Sequence, residues 1–72
     1  MSKLERQAFK WGQQAGDALN NRGDEAAGLV RAGYVAWLRT LKGQRVRSSA
    51  LERAYAAGMR QEVLGPDKYA MA

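Results

Sequence analysis

Cysteine and histidine are both missing from the 72 residues of this chain, and proline occurs once. These absences exclude a disulfide framework and a zinc finger, which are two common ways of stabilising a very small domain. A chain of this length buries only about 60% of its unfolded surface. We therefore expect one domain with a thin core, stabilised by regular helices and by self-association as a homodimer.

Long apolar runs are missing as well. No segment approaches the roughly 20 apolar residues that span a bilayer, and the first residues lack the apolar core of a signal peptide. A helix lying on a membrane surface is disfavoured, because the apolar face of the second predicted helix is needed for the core. We expect a soluble cytoplasmic protein with no membrane partner.

The patterns that carry catalysis are also absent. The chain contains neither Gly-x-x-x-x-Gly-Lys-Ser/Thr nor Gly-x-Ser-x-Gly. Its acidic residues are spread along the sequence, and capping or solvation accounts for most of them. We expect a protein that is not an enzyme and that uses no metal and no cofactor.

What the chain does contain is alanine-rich, proline-poor sequence, which favours helix, and three helices are predicted at about 3–21, 25–42 and 49–64. Ser2 with Glu5 can form a capping box at the start of the first helix, and Ser49 with Glu52 can form one at the start of the third. Asp24 is the expected cap of the second helix. The second helix carries the broadest apolar stripe, so we expect it to be the most buried.

Glycines mark the ends of the second and third helices. Gly43 follows the last turn of the second helix, and Gly65-Pro66 stops the third. Residues 1–66 are therefore expected to form a single helical domain, and residues 67–72 a flexible C-terminal tail.

Other glycines lie inside the predicted helices, where each costs about 1 kcal/mol relative to alanine. Gly12 and Gly16 are one turn apart beside Trp11, so a second helix could approach this strip closely. We interpret the strip as packing within one chain, with a dimer interface as the alternative. Trp11, Gly12, Gly16 and Trp37 are the candidate packing or dimer residues.

Charge is distributed unevenly along the chain. Between residues 26 and 51 there is no acidic residue, and this stretch contains five cations, namely Arg31, Arg39, Lys42, Arg45 and Arg47. The net charge of the whole chain is also +5, so the remaining residues balance. Positive charge gathered on one part of a small protein is the usual footprint of a polyanionic partner.

The segment from the end of the second helix to the start of the third is the candidate nucleic-acid-binding ridge. Its residues can neutralise phosphates or donate to phosphate oxygens. The candidates are Arg39, Lys42, Gln44, Arg45, Arg47, Ser48, Ser49 and Arg53. This second half could resemble a helix-turn-helix, with Ser49 opening the recognition helix. Duplex DNA is favoured over RNA because the aromatic residues are needed for the core.

The predicted role is a regulatory one, such as transcription regulation, or an architectural one. Three alternatives stay open. The cations could simply solvate helix ends, or the chain could dock on an acidic protein partner as a plasmid, phage or ribosome-associated accessory factor. The third alternative is a pure oligomerisation module.

One local pattern resembles a known family. Ala8-Phe9-x-x-Gly12-x-x-x-Gly16 resembles the aromatic and glycine opening helix of ribosome modulation factors. The resemblance implies a small, basic, helical protein that binds ribosomes. It covers part of the first helix, and the Cys-Pro-Tyr element of that family is absent.

Overall fold

The computed structural model describes residues 2–64. These residues form three helices, α1 (Lys3–Arg22), α2 (Asp24–Thr40) and α3 (Ser48–Leu64), and contain no strand. The prediction of a three-helix, all-α domain is confirmed. The predicted stop at Gly65-Pro66 and the predicted tail at 67–72 lie outside the described residues.

The start of α1 is fixed by the predicted capping box. The backbone N–H of Glu5 donates to Ser2 Oγ at 3.1 Å, and the backbone N–H of Ser2 donates to Glu5 Oε1 at 3.2 Å. These bonds to Ser2 hold the pKa of Glu5 below its usual value. Two of the helix's free amides are thereby satisfied.

A single residue, Gly23, joins α1 to α2. Its φ of 96° lies in the left-handed region, and its N–H donates to the carbonyl of Ala18 at 3.0 Å. The prediction that Asp24 caps α2 is wrong. Gly23 occupies the cap position, and because it has no side chain the start of α2 has no side-chain cap hydrogen bond. Asp24 is already helical. The Trp11 ring lies 3.0 Å from the position of a Cβ on Gly33, and these two residues lie at similar distances before and after Gly23, so α1 and α2 are antiparallel neighbours.

The connection from α2 to α3 is longer and differs from the prediction at both ends. Helix α2 ends at Thr40, two residues early, and the chain turns through Gly43 at φ 91°. Helix α3 begins at Ser48, where the carbonyl of Arg47 accepts from Ala50 and Leu51 at 3.0 and 3.2 Å. Ser49 is therefore inside the helix, and the predicted capping box with Glu52 is wrong.

Helix α1, and not α2, is the central and most buried helix. Its buried residues are Ala8, Gly12, Ala15, Gly16 and Ala18, whereas α2 buries only Ala27 and Tyr34. Helix α1 packs against both other helices, but within residues 2–64 no Cα of α2 comes within 8 Å of a Cα of α3. The broad apolar stripe of α2 therefore did not identify the most buried helix. The alanines and glycines of α1 are small enough for two helices to pack against it, so α1 is covered on two sides.

Helices α1 and α3 run parallel and pack very closely. A Cβ on Gly12 would collide with the backbone carbonyl of Tyr55, and one on Gly58 would collide with that of Phe9. Farther along both helices, a Cβ on Gly16 would lie 2.7 Å from the carbonyl oxygen of Met59. Contacts that advance together along both helices establish the parallel direction.

Helices α2 and α3 meet through long side chains instead of backbones. The Tyr34 and Tyr55 rings stack with centroids 4.3 Å apart, and Tyr34 also lies 5.9 Å from the Trp37 ring. Tyr34 is fully buried, and its hydroxyl has no hydrogen-bond partner in the described part of the chain. None of the described helices is long and apolar enough to cross a membrane.

Candidate polyanion-binding surface

The topology brings four separate pieces of the chain to one end of the molecule. Helix α2 is antiparallel to α1, and α3 is parallel to α1. The start of α1, the end of α2, the 41–47 connector and the start of α3 therefore lie at the same end. We call this end the basic pole. Its cations are Lys3, Arg6, Arg39, Lys42, Arg45, Arg47 and Arg53.

The candidate residues from the sequence lie at this pole and are all exposed: Arg39, Lys42, Gln44, Arg45, Arg47, Ser48, Ser49 and Arg53. Among the described residues, none of their five cations forms an ion pair with a carboxylate. Exposed and unpaired cations keep their full charge available for a partner. The arrangement is suited to neutralising several phosphates at once.

Arg31, the remaining cation of the acid-free stretch, has a different role. Its guanidinium donates to both carboxylate oxygens of Glu52, at 3.2 and 3.3 Å. It also lies over the rings of Tyr34 and Tyr55, at 5.1 and 4.8 Å from their centroids. The bond to Glu52 raises the pKa of Arg31. Arg31 thus joins α2 to α3 and does not belong to the basic pole.

Two positions at the pole were missed by reasoning along the sequence. Lys3 and Arg6 are exposed on the first turns of α1, where they line a shallow depression with Gln7 and Lys10. They are distant in sequence from the acid-free stretch and belong to the part of the chain whose charges balance. The signal that could have found them is the single-residue turn at Gly23, since it returns the end of α2 to the start of α1.

Backbone partial charges of both signs meet at the pole, because the C-terminal end of α2 lies there with a partial negative charge. The N-terminal ends of α1 and α3 both lie there, and each carries the partial positive charge of a helix dipole. Glu5 and Ser2 satisfy amides at the start of α1, whereas the first turn of α3 contains no acidic residue. Exposed Ser48 and Ser49 add hydroxyl donors at the start of α3. This helix end is the less compensated of the two.

Acidic residues gather at the opposite end. Asp17 lies near the end of α1, Asp24 and Glu25 begin α2, and Glu62 lies near the end of α3. The two described carboxylates nearer the basic pole are already engaged, Glu5 by Ser2 and Glu52 by Arg31. The molecule therefore has a basic pole and an acidic pole on a body 44 Å long.

The helix-turn-helix resemblance has limited geometric support. That motif joins its helices by a turn of about three or four residues, whereas residues 41–47 separate α2 from α3. The two helices also pack through α1 and through side chains, as described above. The exposed start of α3 is nevertheless accessible at the pole.

The candidate packing residues lie in or against the chain's own core. Gly12 and Gly16 face α3, and the Trp11 ring lies 3.0 Å from the position that a Cβ on Gly33 would take. Trp37 is partly buried and packs against the core. Gly12 and Gly16 thus serve the packing of α1 against α3, and Trp11 serves the packing of α1 against α2.

Comparison with known proteins adds no relative: no family model matches the chain, and neither a curated protein nor a solved structure matches it.

Proposed function

We propose that this protein binds duplex DNA through its basic pole. The observation that supports the proposal is the convergence of exposed, unpaired cations from three helices and the 41–47 connector at the end where two helix N-termini also lie. Phosphate contacts supply much of the affinity of DNA-binding proteins, and amides at helix N-termini add donors. Acidic residues at the far end orient the molecule, because that end is repelled by phosphate.

The placement of the aromatic residues favours a duplex over a single strand. Proteins that bind single strands stack bases on exposed aromatic rings. Here Tyr34 and Tyr55 are buried, and Phe9, Trp11 and Trp37 are packed against the core. Within residues 2–64 the large hydrophobic side chain that stands exposed is Leu29, which offers no ring for stacking.

The proposed role is regulatory or architectural. Lys42, Arg45, Arg47 and Arg53 contact the phosphate backbone, and Gln44, Ser48 and Ser49 are the polar donors beside them. In a helix-turn-helix-like arrangement the first turn of α3 would enter the groove. The architectural role needs no base contact, because backbone binding alone suffices for it.

The experiment is a salt titration of binding to duplex DNA, with single-stranded DNA and RNA as competitors. If about four cations contact phosphates, the logarithm of the affinity falls against the logarithm of salt concentration with a slope near −3.6. The double variant Arg45→Ala/Arg47→Ala should reduce the slope by about 1.8 units. Undetectable binding, or binding that salt does not weaken, contradicts the proposal.

An acidic protein partner is the alternative that the same experiment addresses. Exposed aromatic residues would favour it, but Trp11 is partly buried, and Tyr69 lies outside the described residues. A stoichiometric protein recovered after nuclease treatment, together with no affinity for DNA, would replace the proposal with this alternative.

A further inference from the structure

The outer face of α2 is apolar, exposed and covered by nothing in residues 2–64. Leu29 is 71% exposed there, which makes it the large hydrophobic residue that the described core leaves out. Gly28, beside it, has open space where a Cβ would lie. Ala32 and Ala36 continue the same face and are exposed. A glycine inside an exposed helix weakens that helix, and packing within residues 2–64 does not explain this one.

The residues of this face are arranged symmetrically about Ala32. Gly28 and Ala36 lie four positions to either side, and Leu29 and Val35 lie three positions to either side. When two identical helices pack antiparallel about a two-fold axis, residues at equal distances from the centre face each other. Each glycine would then lie opposite an alanine, and each leucine opposite a valine.

Charge follows the same symmetry. Glu25 and Arg39 lie seven positions before and after Ala32, on the same exposed side of α2. Neither forms an ion pair in the described part of the chain. In the antiparallel arrangement Glu25 of each copy lies opposite Arg39 of the other, so two complementary pairs flank the apolar centre. A parallel arrangement would place like charges together.

The poles of the whole molecule are complementary in the same arrangement. Antiparallel α2 helices place the basic pole of one copy beside the acidic pole of the other, which is the favourable orientation for two dipolar bodies. Gly28, Ala32 and Ala36 are small enough for the two helix axes to approach closely.

We infer that the outer face of α2, centred on Ala32, is a homodimer interface in which two copies pack antiparallel. The occupant is a second copy of this chain. Helix α2 has 17 residues and is therefore about 25 Å long, so a single helix pair buries a modest area. The dimer is expected to be weak and dependent on concentration. Each end of this dimer holds the basic pole of one copy and the acidic pole of the other, and the interface itself does not depend on DNA binding.

The test is the oligomeric state without nucleic acid, measured by sedimentation velocity from low micromolar to near-millimolar protein. Ala32→Glu places two carboxylates at the two-fold axis and should weaken the dimer at least about tenfold. Ala56→Glu is the matched control, because Ala56 is an exposed alanine in the middle of α3. This control should dimerise like the wild type, and circular dichroism should show both variants folded.

A charge exchange tests the antiparallel register. Glu25→Arg and Arg39→Glu should each weaken the dimer, and the double variant should recover most of the wild-type affinity because the pairs form with reversed signs. A wild type that stays monomeric throughout, an Ala32→Glu variant that dimerises normally, or a double variant that recovers nothing would each overturn the inference. Because no DNA is present, failure here leaves the proposed DNA binding untouched.

Discussion

Arg31 and Glu52 form a two-pronged ion pair between α2 and α3, with both nitrogen-to-oxygen distances at 3.2 to 3.3 Å. This pair takes one cation and one carboxylate out of the charge available to a partner. It also connects two helices whose backbones do not approach each other closely. Arg31 is therefore structural, whereas the cations of the basic pole form no ion pair within residues 2–64.

Glu52→Gln should therefore affect folding and binding differently. Both side chains are more than 40% exposed, at 43% and 45%, so the pair contributes about 0.5 kcal/mol to stability. Urea unfolding should show a loss of that size, and DNA affinity should change little. A large loss of DNA affinity in this variant would mean that the pair positions the binding surface.

The close contact between α1 and α3 predicts a large effect at Gly12. A Cβ there would collide with the Tyr55 carbonyl, a backbone atom that cannot rotate away, so Gly12→Ala should lower the free energy of unfolding by about 2 to 3 kcal/mol. Gly28→Ala is the matched control. Its Cβ enters open space, so at concentrations where the chain is monomeric the stability should stay unchanged or rise by up to about 1 kcal/mol. Equal losses in the two variants would argue against the close parallel packing.

Tyr34 predicts a specific pH dependence. Burial raises the pKa of Tyr34 to about 12, above its ordinary value of 10.0. The unfolded chain therefore loses this proton first as pH rises, and the stabilising contribution of the neutral phenol is lost between about pH 10 and 12. Tyr34→Phe should remove this part of the alkaline destabilisation, which unfolding curves across that range would measure.

The same substitution tests the unpartnered hydroxyl of Tyr34. Removing a buried polar group that has no partner costs nothing in hydrogen bonding, so Tyr34→Phe at neutral pH should be neutral or stabilising by about 1 kcal/mol. A clear loss of stability would show that the hydroxyl has a partner in solution.

Lys3 and Arg6 provide the prediction that depends most on the topology. Because the Gly23 turn returns the end of α2 to the start of α1, Lys3 and Arg6 lie at the basic pole, and Lys3→Ala/Arg6→Ala should weaken duplex binding and reduce the salt slope by up to about 1.8. Arg22→Ala/Arg60→Ala removes two exposed cations nearer the acidic pole and is the control. Equal effects from the two double variants would indicate attraction by net charge alone.

The sequence was sufficient to predict three helices, the Ser2 capping box and most helix ends to within two residues. These features depend on local periodicity and on contacts three or four residues apart. The caps at Asp24 and Ser49 were wrong, because tertiary geometry moved each helix start by one residue and directed Glu52 towards Arg31. The central position of α1 was missed because glycine and alanine indicate burial only once a neighbouring helix is known.

The candidate site could be predicted only in part for the same reason. Residues 39–53 are contiguous, so their shared charge is visible along the sequence. That Lys3 and Arg6 lie at the basic pole, and that Arg31 does not, depends on how the three helices are arranged in space. The symmetry of the α2 face about Ala32 is present in the sequence, but it indicates a dimer interface only once that face is known to be exposed.

The central claim is that phosphate is bound at one end of the molecule. Its most direct test is an NMR titration of backbone amides with a short DNA duplex. Shifts are expected at residues 2–6 and 39–53, and residues 14–28 and 58–64 should change little. Shifts spread evenly over both ends, or concentrated at the acidic pole, would contradict the claim.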